Sequence, residues 1–469
     1  MIKEKPGLHF VTENGNSYFY SDIDGTVTPT IYRDINSVNE KPFPNRPNIV
    51  EPISDLKNQI ELVLKRDSFR QLTLVITDQC NLRCRYCAYS GNYLNNRTHE
   101  SIYMPWKIAE QALMKYHIGY MFVKDKSPSL LPSISFYGGE PLLNFGLIRD
   151  VTVLANKLFM NKVRYNLTTN GTLLTSDMLN FFKDNDYHLA FSLNGDKDEH
   201  DRLRVFPDGS GTFEILWHKL KKVRLDYPQY FKHNCSIISV YDSGTDLVRM
   251  SKFFDTRRDK MPVVSVITPI SWLFTEWYNR YSINDRNRFD KDYKNFKKVY
   301  INQLQTGKER SPFITGLFAL GYQSVLDRMQ NFSEERPVLP LTAACMPGHK
   351  IAVDVKGNFH CCERINEKFP IGDVEMGLDI NSIENLINKY RTQIYPECYK
   401  CNVTRICRIC FAQVASDGKF ERNPANLCQV YAESQRRVFS ELWTLFENGV
   451  PETVFSYDKE NKYTGGCLD

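Results

Sequence analysis

The sequence has no long hydrophobic run and little net charge of either sign. No apolar stretch approaches the roughly 18–20 residues that a membrane-spanning helix needs, and the N-terminal MIKEKPGLHF lacks the apolar core of a signal peptide. The net charge of +5 over 469 residues is not gathered in a block, so neither nucleic acid nor a membrane surface is expected as a partner. We expect a cytoplasmic globular protein, with 42% hydrophobic and 25% charged residues.

Cysteine is the residue whose distribution is uneven. The chain has 13 cysteines, and because cytoplasmic thiols stay reduced, metal ligands or redox groups are expected rather than disulfides. No cysteine lies between Cys87 and Cys235, whereas eight lie from Cys345 to Cys428. Cys235, inside a strand-like run, is expected to be a core thiol, and Cys467 to belong to the tail. The spacing predicts two metal-rich regions.

From about residue 70, short strand-like runs alternate with amphipathic helical segments. This alternation predicts an α/β fold with a parallel sheet and helical crossovers, and six such units predict a partial (β/α)6 barrel. In such folds the chemistry lies beyond the carboxyl ends of the strands. The predicted strands are 72–77, 133–137, 163–169, 188–193, 234–240 and 263–268, and the predicted helices include 144–159, 212–226, 245–256 and one that carries the stripe Ile108, Ala112, Leu113 and Tyr116.

The rest of the chain is organised around this barrel. A small N-terminal β/α segment has a hairpin signal at Asn14-Gly15, a proline-rich linker and a helix around 53–65. It could bind a leader peptide by adding a strand, or it could simply pack on the barrel. The predicted domains are 1–68 for this segment, 69–275 for the barrel, 276–340 for a helical linker, 341–440 for a cysteine-rich domain closed by an amphipathic helix, and 441–469 for a C-terminal tail.

Three cysteines lie within eight residues directly after the first predicted barrel strand. Cys80, Cys84 and Cys87 have the spacing C-x3-C-x2-C, and soft thiolate ligands favour zinc or iron–sulfur clusters. Three thiolates on a four-iron cube leave one iron open for a substrate or cofactor. A zinc site would instead need a distant fourth ligand. The spacing alone leaves both interpretations open.

Further motifs follow the next three predicted strands. Gly138-Gly139-Glu140-Pro141 follows the second strand, TTNGT the third, and SLNG with HDRLR the fourth. Two glycines let a backbone approach a ligand closely, and Glu140 could accept a hydrogen bond from an amino group. All of these motifs fall at the strand ends where the three thiols are expected.

In this order, over roughly residues 70–240, the motifs resemble those of the radical S-adenosylmethionine (radical SAM) enzymes. The resemblance implies that S-adenosylmethionine chelates the open iron, and that a donor such as flavodoxin or ferredoxin supplies an electron. Cleavage then gives a 5′-deoxyadenosyl radical that abstracts a substrate hydrogen. Asn194 stands where the family commonly has Asp, and a surface ion pair is the alternative role for Arg204. The implied cofactor-binding residues are Gly138, Gly139 and Glu140 for the methionyl amino group, Ser192 and Arg204 for the ribose or carboxylate, and Tyr86 for the adenine.

The second cysteine region contains C-x11-G-x4-C followed by C-x2-C-x5-C-x2-C. Taken alone, the paired spacing is also that of a structural zinc knuckle. Attached to a radical SAM barrel it resembles the SPASM domain, which implies two auxiliary [4Fe–4S] clusters and three clusters in all. The family usually has three residues before the last paired cysteine, and this chain has two, Arg408 and Ile409. The implied ligands are Cys398, Cys401, Cys407 and Cys428 for one cluster, and Cys345, Cys362 and Cys410 for the other.

The cluster with only three implied ligands leaves a question open. Either Cys361 supplies the fourth ligand, or an open iron remains that could bind a substrate thiolate. Glu363, directly after Cys362, matches the place where sulfatase-maturating relatives carry an Asp that acts as a base. Glu363 is therefore a candidate general base. A purely structural carboxylate is the alternative.

The residues that flank the motifs narrow the expected reaction. The run Y-S-G-x-Y…N-R-T-H after the first motif, and RICRICFA near the C-terminus, resemble radical SAM–SPASM peptide maturases. This implies a ribosomally made precursor peptide as substrate and an intramolecular crosslink, first of all a cysteine thioether. The alternatives are oxidation of Cys or Ser to formylglycine, epimerisation, C–C crosslinking, and, in a different class, a zinc-structured binding module. An RNA-modifying enzyme is not expected, because the composition gives no basic face.

Overall fold

A ten-stranded sheet forms the centre of the molecule. The computed structural model describes residues 7–22, 24–30, 55–93, 98–125, 129–330, 345–398 and 401–455. The strands are β1 Gly7–Val11, β2 Ser17–Ser21, β3 Val27–Pro29, β4 Gln71–Val75, β5 Ser133–Tyr137, β6 Arg164–Thr169, β7 His188–Ser192, β8 Cys235–Tyr241, β9 Val263–Pro269, β10 Lys350–Val353, β11 Asn358–His360, β12 Gly372–Asp373 and β13 Gly377–Leu378.

Helices follow most of the barrel strands and cover the outer face of the sheet. The predicted helical segments are confirmed, with ends that differ by a few residues. The helices are α1 Leu56–Asp67, α2 Trp106–Lys124, α3 Phe145–Leu158, α4 Ser176–Asp184, α5 Lys197–Leu203, α6 Phe213–Asp226, α7 Pro228–Asn234, α8 Leu247–Asp255, α9 Ile283–Thr306, α10 Pro312–Gln330, α11 Ile380–Gln393, α12 Tyr395–Cys398, α13 Phe411–Val414 and α14 Leu427–Glu447.

Strands β4 to β9 form the predicted partial barrel. Each pairs in parallel with the next, and all six lie within two residues of the predicted bounds. The outward side chains of β5, Ile134 and Phe136, are buried under helices. The inner face is polar: the Gln71 amide donates to the Ser135 hydroxyl at 2.7 Å. The barrel therefore has an apolar shell and a hydrophilic interior face.

The cysteine-rich region adds strands to the same sheet, which the sequence did not predict. Strand β10 pairs in parallel with β4, with Lys350 opposite Gln71, and β11, β12 and β13 continue the sheet in antiparallel order. Without β10, strand β4 would be an exposed edge with unpaired backbone groups. The start of the second cysteine-rich region is thus continuous with the barrel sheet.

The N-terminal hairpin is confirmed, and it packs on the C-terminal helix. β1 and β2 are antiparallel, Gly15 in the turn has φ +84°, and β3 adds a third strand. The Phe10 and Tyr20 rings lie 5.4 and 4.6 Å from that of Phe439 on α14. The Tyr18 hydroxyl donates to the Glu447 carboxylate at 2.8 Å.

Some sequence predictions fall outside the described residues. These are the proline-rich linker, the end of the helical linker from residue 331, and Cys467. Within the described ranges, no helix combines the length and apolar character needed to cross a bilayer.

Phe439→Ala should detach the N-terminal sheet, because this fully buried ring contacts two of its aromatic residues. We expect a loss of about 3–5 kcal/mol of unfolding free energy, measured by urea denaturation. Val430→Ala, on the same helix with 42% of the side chain exposed, is the control and should change stability by less than about 1 kcal/mol. Equal stability of the two variants would contradict the packing described.

Candidate active site

The loop after β4 carries the first three thiols at the carboxyl end of the barrel. Cys80 is buried, while Cys84 and Cys87 are partly exposed, and all three are free. Burial raises the pKa of Cys80 to about 12 and that of Cys87 to about 11, and the charges of the neighbouring thiols add to both shifts. Three thiols close enough to influence one another electrostatically form a concentrated set of soft donors.

Backbone contacts with Gly138, Gly139 and Glu140 fix the position of this loop. The Gly139 amide donates to the Thr77 carbonyl at 2.8 Å, and the Glu140 amide to the Gln79 carbonyl at 2.9 Å. A Cβ atom on Gly138 would lie 2.2 Å from the Thr77 oxygen, and one on Gly139 would lie 2.2 Å from the Gln79 oxygen. Only glycine therefore allows the two loops to approach this closely.

The Glu140 carboxylate connects the ends of two strands. It accepts hydrogen bonds from the Thr169 hydroxyl at 2.7 Å, the Asn170 amide at 2.8 Å and the Leu142 amide at 3.1 Å. Burial raises its pKa, although these donors oppose the shift. Its two oxygens keep acceptor capacity for a further donor, so the contact with an amino group that was predicted for Glu140 stays a prediction.

The TTNGT motif also supports the cysteine loop. The Asn170 side-chain amide donates to the Asn81 carbonyl oxygen at 2.9 Å and lies 4.0 Å from the Cys80 sulfur. Asn81 in turn donates to the Thr172 hydroxyl at 2.9 Å. The third sequence motif thus positions the first cysteine.

Tyr86 and Arg204, both predicted to contact the cofactor, are brought together in the structure. The Arg204 guanidinium donates to the Tyr86 hydroxyl. Arg204 is buried, so the surface ion pair that the sequence left open is wrong. Its Nε atom has no hydrogen-bond partner among the residues that the structure describes. The nearby Cys84 and Cys80 charges contribute to a raised Arg204 pKa, which places a permanent cation beside the thiols.

The burial of Tyr86 affects its own ionisation. Burial raises the pKa of Tyr86 to about 12, although the Arg204 charge opposes the shift. Tyr86 is therefore a neutral hydrogen-bonding group at physiological pH.

Ser192, also predicted to contact the cofactor, ends β7, where its backbone pairs with Ile238. Its side chain is partly exposed.

Sequence reasoning missed a buried ion network beside Tyr86. The Arg202 Nη2 atom donates to Glu199 at 2.6 Å and to Asp242 at 2.8 Å. Asp242 also accepts from the Trp277 indole at 3.2 Å, and Trp277 packs near Tyr86. The signal available in the sequence was an acid directly after the fifth barrel strand. This network holds the 277–281 segment over the mouth of the barrel.

The predicted four-cysteine set of the C-terminal region is brought together. Burial raises the pKa of Cys407, and the charges of Cys398, Cys401 and Cys428 add to the shift, so the four thiols are neighbours. The Arg422 Nε atom donates to the Cys428 sulfur at 2.9 Å, and its Nη2 atom lies 3.8 Å from the Cys398 sulfur. Arg422 was not singled out from the sequence, because no motif marks it.

The other C-terminal set contains Cys361 as well as the three predicted ligands. A hydrogen bond from Cys361 to Cys362 raises the pKa of Cys361 and lowers that of Cys362, and Cys410 and Cys345 also act on the Cys361 charge. The structure therefore places Cys361 where it could be the fourth ligand. Cys235 is buried within β8, where it was expected.

Glu363 forms an ion pair with Lys350 at 2.6 Å, and both side chains are largely buried. Burial works to raise the pKa of Glu363, but Lys350 and Arg364 outweigh it and lower the pKa. An anchored carboxylate with a lowered pKa is a weak general base. Because Lys350 stands opposite Gln71 in the sheet, the ion pair lies on the polar face of the barrel.

The donor chemistry of these sets fits iron–sulfur clusters. Each set consists of thiols alone, and arginine side chains lie beside two of them, as suits anionic thiolates. Within the described part of the chain, no three Cys, His, Asp or Glu side chains gather as ligands of one metal ion. The thiols that would hold three clusters, each larger than a single ion, are nevertheless present in three sets. Their roles as ligands stay predictions.

Comparison with known families agrees with this geometry. A sequence profile described as the Radical SAM superfamily matches residues 74–226, from β4 to the end of α6. Residues 74–226 are a radical SAM domain. The match includes the first three thiols, the glycine loop and Arg204, and it confirms the resemblance seen in the sequence.

Two relatives differ in how much of this chain they match. The cysteine-type anaerobic sulfatase-maturating enzyme of Clostridium novyi is 27% identical over 194 residues, 40% of this chain and 48% of that protein. The radical SAM cyclopropyl synthase TigE of Paramaledivibacter caminithermalis is 22% identical over 412 residues, 85% of this chain and 79% of that protein. The chain spans about half the length of the Clostridium novyi enzyme and of one other relative that it matches.

A solved structure shares the fold over most of the chain. Histidine-tagged anSMEcpe with bound AdoMet superposes with a TM-score of 0.60 at 20% identity, and the match covers 84% of this chain and 97% of that one. The likeness confirms the radical SAM α/β fold, and the cysteine-rich region is consistent with a SPASM domain.

Gly139→Ala should displace the cysteine loop, because the new Cβ would lie 2.2 Å from the Gln79 carbonyl oxygen. We expect a loss of stability of about 1–3 kcal/mol and loss of the iron bound by that loop, measured by denaturation and by iron analysis after anaerobic reconstitution. Gly146→Ala is the matched control, since its Cβ would meet open space. If both variants kept wild-type iron and stability, the contact would not position the loop.

Proposed function

We propose that this protein is a radical SAM enzyme that modifies a ribosomally made precursor peptide by forming an intramolecular crosslink, with a cysteine thioether as the product. The observation that carries this proposal is the presence of three thiol sets, of which the first follows β4 and the one with Cys361 follows β11 of the same sheet. One set lies in the radical SAM domain and two lie in the C-terminal region. An additional thiol-bound cluster near the reaction centre suits chemistry on a substrate sulfur.

The cofactors proposed are S-adenosylmethionine and three [4Fe–4S] clusters. One-electron cleavage of S-adenosylmethionine to a 5′-deoxyadenosyl radical is the chemistry that these groups supply when bound. Cys80, Cys84 and Cys87 would hold the cluster of the radical SAM domain. The Arg204 cation beside these thiols offsets their negative charge, and its Nε–H is a donor for an anionic ligand group.

The polar face of the barrel is the surface proposed to bind the peptide. Gln71, Ser135 and the Lys350–Glu363 ion pair lie on it. The Arg364 charge acts on the phenol of Tyr137 at the end of β5, and Arg364 also lies near Cys362 and Cys410. A peptide on this face would lie between the first thiol set and the set that includes Cys361. Glu363 is not required as a base in this proposal, because Lys350 lowers its pKa.

Oxidation of cysteine or serine to formylglycine is the second candidate reaction. The name of the Clostridium novyi relative supports it, and Glu363 stands where that class carries a basic Asp. The ion pair with Lys350 argues against Glu363 as a general base, because it lowers the pKa of the carboxylate. The name of TigE supports a carbon–carbon bond as a further alternative crosslink.

Cys84→Ala should abolish formation of 5′-deoxyadenosine from S-adenosylmethionine and dithionite, because the cluster would lose one of three ligands. Cys407→Ala should keep part of this cleavage, since Cys407 belongs to a C-terminal set, but should uncouple it from peptide modification. Chromatography of the nucleoside products measures both. Cys235→Ala, a core thiol outside the sets, is the control and should cleave as the wild type does. Full cleavage by Cys84→Ala would contradict the cluster assignment.

Mass spectrometry of the treated precursor peptide separates the candidate reactions. A thioether predicts the loss of two hydrogen atoms per crosslink and one fewer thiol that iodoacetamide can alkylate. Formylglycine predicts an aldehyde in place of a thiol or hydroxyl, and epimerisation predicts deuterium uptake from heavy water. Colourless, zinc-loaded protein that leaves S-adenosylmethionine intact would support a binding module instead and overturn the proposed function.

A further inference from the structure

Three arginines surround a cavity directly above the first cysteine loop. Arg83, Arg85 and Arg280, here called the arginine rim, line a cavity of about 560 Å³ that has Cys84 in its wall. All three side chains are exposed. Positive charge is therefore concentrated where the cysteine loop meets solvent.

Neutral groups hold two of the three charges of this rim. The Arg83 Nη1 atom donates to the carbonyl oxygens of Cys80 at 2.6 Å and Leu82 at 2.8 Å. The Arg280 Nε atom donates to the Trp277 carbonyl at 2.9 Å, and its guanidinium stacks 3.5 Å from the centre of that indole ring. Carbonyl oxygens and rings orient a guanidinium without cancelling its charge.

The rim arginines differ from other arginines of the barrel in whether carboxylates neutralise their charge. Arg202 and Arg249 each form ion pairs with two carboxylates. Across the described ranges, none of the three rim arginines forms an ion pair with a carboxylate. The positive field of the rim is therefore available to a partner from solution.

Two arginines at the start of α9 extend the positive surface. The Arg286 Nη2 atom donates to the Tyr278 carbonyl at 2.8 Å, and the Arg288 Nη2 atom donates to the Gly244 carbonyl at 3.2 Å. Asp285, directly before Arg286 in sequence, forms a capping box with Ser282 at the start of α9 and keeps its negative charge. These two arginines therefore add positive charge beside Tyr278 and Gly244.

The cavity at the rim is lined by few of the residues expected to contact the cofactor. Neither the glycine loop at 138–140 nor Ser192 nor Arg204 lines the cavity. A molecule seated at the rim would approach the cysteine loop through Cys84.

We propose that the arginine rim docks an acidic, low-potential one-electron carrier protein. The inference rests on the proposed function, which consumes one electron for each S-adenosylmethionine cleaved. In the step, the reduced carrier would lose one electron, and the cluster that Cys80, Cys84 and Cys87 would hold would gain it. No proton or covalent bond is exchanged between the two proteins.

The physical features of the rim suit such a partner. Complementary charge steers encounters and raises the association rate, and it does so most strongly at low salt. Electron-transfer complexes are small and short-lived, so a few exposed guanidinium groups suffice. An acidic segment of the precursor peptide would also be attracted to the rim, and the experiment must distinguish the two partners.

The test uses the double variant Arg85→Gln/Arg280→Gln in the full-length reconstituted protein. Arg83 is kept, because it supports the cysteine loop. Arg257→Gln is the matched control: Arg257 also stacks on an aromatic ring, at 4.7 Å from Phe253, but it follows α8, at the opposite end of the barrel strands. Each protein is assayed for initial 5′-deoxyadenosine formation with reduced flavodoxin and, separately, with dithionite.

With reduced flavodoxin at low salt, the double variant should form 5′-deoxyadenosine more slowly than wild type by about 10-fold or more. Added salt should reduce this difference in rate, because it screens the charge attraction. With dithionite, a small reductant that needs no docking, the double variant, the control and wild type should be equally fast. Equal rates of the double variant and wild type with flavodoxin would overturn the docking proposal. An equally large decrease in the flavodoxin-dependent rate of Arg257→Gln would also overturn the docking proposal.

A binding measurement on the reconstituted protein without S-adenosylmethionine makes the result independent of catalysis. Calorimetric titration with flavodoxin should show weaker binding to the double variant and unchanged binding to Arg257→Gln. If the double variant instead lost affinity for the precursor peptide and not for flavodoxin, the rim would be a substrate surface and the proposal would be wrong. Failure of wild type to cleave with dithionite would overturn the proposed function, whereas the titration would still decide the docking.

Discussion

The close backbone contact between the glycine loop and the cysteine loop is the constraint on which the site depends. Two amides of the Gly138–Glu140 segment donate to carbonyls of the cysteine loop, at a separation that leaves no room for a Cβ atom on either glycine. Because the Glu140 carboxylate also accepts from the end of β6, three neighbouring strand ends become one rigid unit. A loop with three thiols can then keep a defined shape without a disulfide.

Charge compensation is the second condition for this architecture. As the proposed cluster ligands these thiols would be anionic thiolates, and burying such charges is costly unless cations lie nearby. Arg204 meets this need beside the first set, and Arg422 meets it beside Cys398 and Cys428. Both are arginines, whose charge does not depend on pH in the physiological range. The fold therefore places an arginine next to each of these two thiol sets.

The pairing of β10 with β4 explains how the two cysteine regions are related. It makes the C-terminal region part of the barrel sheet and brings Lys350 and Glu363 onto the polar face. The N-terminal sheet also contacts the C-terminal cysteine region. Its buried Asp22 accepts from the Thr404 and Arg405 amides at 3.0 Å, between Cys401 and Cys407. Sequence-distant segments thus support each thiol set.

The sequence by itself determined the barrel strands, the motifs at their ends and the grouping of cysteines by spacing, because periodicity and local motifs are properties of neighbouring residues. Only the tertiary structure decided that β10 joins β4, that Cys361 lies with Cys362 and Cys410, and that Lys350 lowers the pKa of Glu363. It also decided the roles of Arg202, Arg422 and the arginine rim. These depend on contacts between residues far apart in the chain, which no local pattern records.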